Sequence, residues 1–308
     1  CFTGGEADGM RVTYLEHSGF FLEWEDCIWI FDYYRGELPK LNMTKPVFVF
    51  CSHSHSDHFN SEIFSLLREH PQVHYIFSNE IRKKIRTMQR KAASDTEHET
   101  VPEITFLTVR TDAKMQDGSG NTICIHTLSS TDCGCAFVLE YKGRTIFHAG
   151  DLHWWTWPGE PEADNRKMEA DYKKEVEYLE KRAVDLAFTP LDPRQEEDYA
   201  KGVTYFLSKV QVRHVFPMHF WGDFSVMERF KKECTLPWVQ FDEGEVRQAE
   251  AKPDTKEVCQ AKMQPDTKEA CQAKMQPDAK ESRQVGVQHG TCFHLIRQNG
   301  QAWEIMFD

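Results

Sequence analysis

Residues 46–58 read PVFVFCSHSHSDH, an apolar run followed at once by three histidines and one aspartate. Valine and phenylalanine between turn-forming residues are typical of a buried strand, so the polar cluster lies on the loop that leaves a strand end. Imidazole and carboxylate groups are ligands of zinc, iron and manganese. The spacing lets His53 and His55 converge on one cation, and Asp57 and His58 reach a second cation beside it. Chance enrichment of histidine on a surface loop is the competing interpretation, which this spacing disfavours.

The spacing His-x-His-x-Asp-His resembles the signature of the metallo-β-lactamase superfamily, and later segments follow in the same order. Asp151, after the strand-like run TIFHAG, corresponds to the bridging aspartate of that superfamily, and His219 to its last histidine. Residues 11–23 are similar to the first hairpin of the branch that includes ascorbate-phosphate lactonases and N-acyl-phosphatidylethanolamine phospholipases. The resemblance covers residues 11–245 and a short C-terminal piece.

This resemblance implies an α/β protein, a four-layer αββα sandwich with metals along its edge. Two groups of predicted strands, each followed by helices, agree with that arrangement. The resemblance also implies a hydrolase in which one or two zinc ions, or manganese or iron instead, activate water for attack on a small lactone, phosphate ester or phosphodiester. Asp151 would bridge the ions, and Asp57 would ligate one ion and orient the water or accept its proton. The expected partner is therefore a small-molecule substrate.

One position departs from the pattern of the superfamily. Its third histidine lies on a Gly-His-Thr-type turn, and Ser130 occupies that place here. A neutral hydroxyl is a poor ligand for a divalent cation, so we predict that Asp132, an anionic donor on the same turn, replaces it. A first metal site that stays weakly bound is the main alternative. The Cys133 thiol is less favoured because buried cysteines are mostly inert, and His126 is the least favoured replacement.

The missing histidine also supports a second hypothesis, a non-catalytic metal-binding or sensing protein of the same fold. Against it, the other ligand-type residues of the pattern are all present: His53, His55, Asp57, His58, Asp151 and His219. A decaying site has little reason to retain them, so the enzyme is the favoured hypothesis.

Several residues near these motifs are candidates for supporting roles. An aromatic cluster follows the predicted bridging aspartate: His153, Trp154, Trp155 and Trp157. Such a cluster either lines a substrate pocket or packs against helices, and both interpretations stay open. Asp32 ends a predicted strand and is expected to hydrogen-bond a ligand histidine. His17 and His148 match positions of the lactonase-like branch, where a pocket role is expected, although lone histidines are more often structural.

Composition predicts a cytoplasmic enzyme. The 308 residues, 40% of them hydrophobic, are enough for one sizeable core, and the net charge of −12 opposes nucleic-acid binding. The basic cluster at residues 82–91 has helical apolar spacing, which is typical of a solvated helix face. No apolar stretch reaches the length of a membrane span, so no membrane partner is predicted. Several of the ten cysteines lie in predicted core strands, which favours a reducing compartment over a disulfide framework.

Four segments are predicted along the chain. Residues 1–9 lack periodicity and are expected to be a disordered leader, whereas residues 10–249 form the metallo-β-lactamase-like domain. Residues 250–284 repeat a 12-residue unit, first PDTKEVCQAKMQ, with too few apolar residues to bury a face, so we expect a disordered insertion. An oligomerising role for this repeat is the minority hypothesis, and a homo-oligomer is left open. Residues 285–308 are predicted to complete the domain with a hairpin around Asn299-Gly300.

Overall fold

Two mixed β-sheets face each other in the computed structural model, which describes residues 9–92, 102–157, 159–242 and 290–307. The described strands of the first sheet are, in spatial order, β15 (Ala302–Met306), β1 (Gly9–Tyr14), β2 (Phe20–Glu23), β3 (Ile28–Phe31), β4 (Val47–Cys51), β5 (Val73–Ser78) and β6 (Ile104–Leu107). Those of the second sheet are β13 (Val239–Asp242), β14 (Thr291–His294), β12 (Gln211–Met218), β11 (Ala183–Pro190), β10 (Arg144–His148), β9 (Cys135–Tyr141), β8 (Thr122–Ser129) and β7 (Asp112–Gln116).

Helices cover the outer face of each sheet. The described helices are α1 (Glu62–Leu66), α2 (Arg82–Ala92), α3 (Glu162–Leu179), α4 (Lys201–Lys209) and α5 (Ser225–Glu233), with 3-10 turns at Asn79–Ile81 and Pro193–Asp198. The α1 residue Ile63 and the α2 residue Ile85 belong to an apolar cluster on the first sheet. On the second sheet, the Phe206 ring in α4 lies 5.5 Å from that of Phe147. The predicted αββα sandwich is therefore confirmed.

The core between the sheets is aromatic. The Phe20 ring of the first sheet lies 4.3 Å from the Phe188 ring of the second, and Phe31 stacks on His148 at 4.8 Å. His148 also has its Nε2 atom 3.0 Å from the Ser18 carbonyl, and it is fully buried. His148 therefore packs in the core between the sheets.

The predicted C-terminal hairpin is wrong. Strand β14 pairs in parallel with β12 and β13 in the second sheet, whereas β15 pairs antiparallel with β1 in the first. The turn at Asn299-Gly300 therefore carries the chain from one sheet to the other, and the Gly300 amide donates to the Tyr14 carbonyl at 2.8 Å. Both strands bury an aromatic ring, Phe293 and Trp303, so their sequence alternation does not tell which sheet each joins.

Parts of the predicted organisation cannot be compared with the structure. Residues 1–8 of the expected leader, residues 93–101 and the repeat at 250–284 lie outside the described residues, so the segment boundaries stay predictions. Within the described ranges, none of the helices is both long and apolar enough to cross a membrane. The described cysteines are all free thiols: Cys27, Cys51, Cys124, Cys133, Cys135, Cys234 and Cys292.

Candidate metal centre

The predicted ligands gather where strands of both sheets end. In the first sheet, β4 ends at Cys51, directly before the loop that carries the His-x-His-x-Asp-His residues. In the second sheet, Asp151 follows β10 and His219 follows β12, whose strands are both parallel to β11 between them. Because parallel strands end at the same edge of a sheet, side chains that are far apart in sequence meet there.

Asp151 lies at the centre of this group. Its Oδ1 atom is 3.0 Å from His58 Nε2 and 3.3 Å from His219 Nε2, while its Oδ2 atom is 3.3 Å from His53 Nε2. All four side chains are buried. One carboxylate thus faces imidazoles on two sides, as a bridging ligand between two cations must.

Asp57 and His17 extend the group on the side of His58. The Oδ2 atom of Asp57 lies 3.2 Å from His17 Nε2, and 3.9 Å from the Nε2 atoms of both His58 and His219. His17 is buried in the turn between β1 and β2, with a left-handed φ of 56°. Burial lowers the pKa of His17 to about 4 in spite of its Asp57 partner, so the ring is neutral and can donate a lone pair. The structure therefore assigns His17 to the metal centre.

The opposite nitrogen of each central imidazole is held by another side chain. Asp32 Oδ2 is 2.8 Å from His58 Nδ1, which confirms the hydrogen bond predicted for Asp32. Asp192 Oδ2 is 2.9 Å from His219 Nδ1, and Ser52 Oγ is 3.0 Å from His53 Nδ1. A carboxylate at Nδ1 fixes the proton there and turns the Nε2 lone pair towards the centre, which is the usual arrangement of metal-binding histidines.

Unpaired polar atoms provide the test of whether these residues fit a metal. Within the described part of the chain, no hydrogen-bond partner satisfies the Nε2 atoms of His17, His53, His58 and His219 or the Oδ1 atom of Asp151. A buried polar atom left unpaired costs about 1–3 kcal/mol. Five such atoms directed towards one another would be very unfavourable as a mere structural core, and a cation among them satisfies all of them. The residues therefore fit one or two metal ions.

The carboxylates hold protons at this site when no metal is bound. Burial by itself lowers the pKa of His58, but Asp151 and Asp32 outweigh it and raise that pKa well above its ordinary value. The pKa of His219 is raised in the same way, with burial opposed by Asp151 and Asp192. Burial would raise the pKa of Asp151, and the two imidazoles hold it well below its usual range. Metal binding must displace these protons, so affinity increases with pH.

His55 and Asp132 lie beside this group. His55 Nδ1 is 3.7 Å from Asp132 Oδ2, and both side chains are half exposed. The His55 ring is 4.6 Å from the His53 ring, but its ligand atoms cluster with Asp132 and Cys133, whereas His53 clusters with His58 and Asp151. The structure thus brings Asp132 to His55, on the exposed side of the site. The assignment of Asp132 as a replacement ligand stays a prediction.

Comparison with known proteins agrees with this architecture. Residues 11–161 match the family model described as the beta-lactamase superfamily domain. The chain carries a domain of the metallo-β-lactamase superfamily. No curated protein matches the sequence significantly.

Solved structures share the fold at low identity. The metallo hydrolase Igni18 from the archaeon Ignicoccus hospitalis is 15% identical, with a TM-score of 0.52 over 73% of this chain and 91% of that one. The metallo-β-lactamase fold protein YhfI from Bacillus subtilis is 13% identical, with a TM-score of 0.44 over 69% and 86%. The diiron β-hydroxylase CmlA from Streptomyces venezuelae is 11% identical, with a TM-score of 0.44 over 70% and 45%.

The tryptophan cluster divides between the site and the core. The Trp155 ring lies 5.4 Å from His219 and stacks on Trp157 at 5.7 Å, so these two rings line the metallo-β-lactamase site. Trp154 instead packs between α3 and α4, with its ring 5.6 Å from Tyr205. His153 is buried beside the same helices, 6.2 Å from Tyr172 between ring centres. The pocket and the core interpretations of the cluster are thus each correct for part of it.

Two residues of the site were missed from the sequence, Asp192 and Arg194. Both follow β11, and the Asp192 carboxylate accepts hydrogen bonds from Arg194 Nε at 3.0 Å to each of its oxygens. The Arg194 guanidinium lies 5.5 Å from the Trp157 ring centre and 4.6 Å from that of Trp221. A carboxylate directly after a strand, between the strands that lead to Asp151 and His219, was the available signal.

Proposed function

We propose that the protein is a metal-dependent hydrolase that cleaves a small lactone, phosphate ester or phosphodiester bearing an anionic group. The observation that carries the proposal is the convergence of three buried Nε2 atoms, those of His53, His58 and His219, on both oxygens of Asp151. The substrate range follows from the similarity of residues 11–23 to the lactonase-like branch. Zinc is the ion we propose, because imidazole donors predominate over oxygen donors.

The ligand set suits hydrolysis because it leaves one side of the site open. A divalent cation held here supplies a nucleophilic water near neutral pH and stabilises negative charge on the reacting oxygen. Burial would raise the pKa of Asp57, but His17 and His58 hold it below its usual range, so its carboxylate is ionised. We propose that Asp57 accepts a hydrogen bond from the attacking water, orients it and takes up its proton.

Arg194 supports an anionic substrate. Its Nε and Nη2 atoms bond to Asp192, whereas no described residue accepts from Nη1. The side chain is 45% exposed and lies between two indole rings, Trp157 and the half-exposed Trp221. The Trp221 ring is in turn 4.5 Å from the His17 ring, so the guanidinium faces the same opening as the metal centre. A guanidinium with free donors beside aromatic rings is well suited to bind a carboxylate or phosphate.

The test is turnover by the metal-loaded protein on a panel of neutral lactones, carboxylated lactones, p-nitrophenyl phosphate esters, phosphodiesters and β-lactams. We expect metal-dependent hydrolysis of a lactone or phosphate ester, abolished by His53→Ala and His58→Ala. The matched control is His126→Ala, because His126 lies on β8 and pairs with Asp112 away from the site. Arg194→Gln should raise KM for anionic substrates and leave neutral lactones unaffected.

Two outcomes contradict the proposal in different ways. If the wild-type protein binds metal tightly but hydrolyses nothing in the panel, the non-catalytic hypothesis becomes the better one. If Arg194→Gln changes neutral and anionic substrates equally, Arg194 holds Asp192 in place and does not recognise the substrate.

A further inference from the structure

A second group of metal-ligand side chains lies in the sheet, away from the centre described above. Strands β13, β14 and β12 are parallel neighbours, with His214 opposite Cys292 and Asp242 opposite His294. Side chains two residues apart on a strand point to the same face, so all four residues share one face of the second sheet. His214 is four residues before the end of β12, about 13 Å from that end at about 3.3 Å per residue.

This face looks towards the first sheet. Phe216, two residues after His214, stacks on the His294 ring at 4.2 Å and meets the Trp303 ring of β15 at 5.0 Å. His294 is buried, while His214 and Cys292 are partly exposed. The cluster therefore lies near the rim of the inter-sheet core, where an ion can enter from solvent.

The geometry is that of a ligand set with an orienting carboxylate. His214 Nδ1 is 3.1 Å from His294 Nε2, and the Cys292 Sγ atom lies within 4.8 Å of both ligand nitrogens. Asp242 Oδ2 is 2.9 Å from His294 Nδ1. The carboxylate fixes the proton on Nδ1 and turns the Nε2 lone pair towards the other two side chains, as in carboxylate–histidine–zinc arrangements.

The chemistry of the donors selects the ion. Two imidazoles with one thiol sulfur suit zinc, whereas magnesium, calcium and manganese prefer oxygen ligands. Burial lowers the pKa of both imidazoles, that of His214 to about 4, so both are neutral as ligands must be. A hydrogen bond from His214 to His294 would account for the two rings without metal, but it gives the Cys292 thiol no role.

We propose that His214, Cys292 and His294 bind a zinc ion, with Asp242 as a positioning residue on His294. The ion ties β12 to β14 and so stabilises the second sheet where the chain returns to it. Residues 243–290 separate β13 from β14 in sequence, and closing so long a connection costs conformational entropy that a metal crosslink offsets. This site is independent of the proposed hydrolase activity.

Cobalt binding to the full-length protein tests the proposal, because a thiolate on Co²⁺ gives a ligand-to-metal charge-transfer band. After chelation and dialysis, Co²⁺ should produce that band in the wild-type protein and in His53→Ala, whose metal centre is impaired. Cys292→Ser should lose the band and about one equivalent of zinc per chain. The control Cys133→Ser should keep the band, since Cys133 is the thiol near the metal centre, beside His55 and Asp132.

Persistence of the band in Cys292→Ser, or its absence from the cobalt-saturated wild-type protein, overturns the proposal. Should Cys292→Ser fail to fold, His214→Gln serves as the second variant, and it must bind about one zinc fewer than wild type while keeping its circular dichroism spectrum. A band that is present while all hydrolysis assays fail contradicts the proposed function and supports this site, so the two outcomes are distinguishable.

Discussion

The close approach of Gly134 to the metal loop gives a quantitative prediction. Gly134 has a φ of +71°, and a Cβ atom there would lie 1.9 Å from the Ser52 carbonyl oxygen and 2.6 Å from His53 Cβ. Both contacts are much shorter than van der Waals distance and involve the residues that begin the His-x-His-x-Asp-His loop. Gly134→Ala must therefore push this loop, and the His53 imidazole with it, away from Asp151.

A matched control separates the contact from backbone strain. Gly143 has a φ of +74°, and a Cβ atom there would have no neighbour within 4 Å. Gly143→Ala therefore adds only the strain of a left-handed conformation, about 1 kcal/mol, whereas Gly134→Ala adds overpacking of about 1–3 kcal/mol as well. For a domain of this size, about 1 kcal/mol corresponds to about 2–4 °C in Tm.

The assay is thermal and urea unfolding of both variants, combined with zinc competition titration. We expect Gly143→Ala to lower Tm by about 2–4 °C and leave zinc affinity unchanged. We expect Gly134→Ala to lower Tm by about 5–15 °C and to weaken zinc binding. Equal losses of stability in the two variants, with equal zinc affinity, would refute the reasoning, because the contact with Ser52 would then have no energetic consequence.

Three further predictions follow from contacts around the site and in the core. Asp32→Asn removes the charge held on His58 Nδ1 at 2.8 Å, so zinc affinity should fall about 10–100-fold, whereas Asp26→Asn, whose carboxylate pairs with the distant Lys142, should leave a competition titration unchanged. Asp132→Ala should lose about one metal equivalent and most activity, with Ser130→His added to restore a conventional site; unchanged metal content and turnover would show that Asp132 is not a ligand. Burial would raise the pKa of Asp117, but the hydroxyl of Tyr141 at 2.6 Å and the Asn121 amides hold it below its usual range, so Asp117 contributes stability that is lost as the pH falls below about 4. Asp117→Asn should accordingly flatten the acid limb of the unfolding free energy against pH, and the exposed Asp164→Asn should not.

The sequence alone predicted most of the elements and the principal ligands. His53, His55, Asp57 and His58 lie within six residues after an apolar strand, so their chemistry is local and visible without a fold. Strand and helix positions followed from hydrophobic periodicity because each face of the two sheets is buried. Strand β7, DAKMQ, was not predicted, since its alternating exposed residues carry no apolar signal and only pairing with β8 makes it a strand.

Tertiary structure decided which of these residues act together. Strand pairing brings Asp192 to His219 and His17 to Asp57, contacts between residues that are 27 and 40 positions apart. It also places β14 and β15 in different sheets, although their sequences suggested one hairpin. The physical reason is that alternation of apolar residues specifies that a strand has a buried face, but the partner strand is selected by the total burial of both sheets. A local pattern therefore predicts the donors, and only the packed sandwich determines which side chain orients, bridges or recognises.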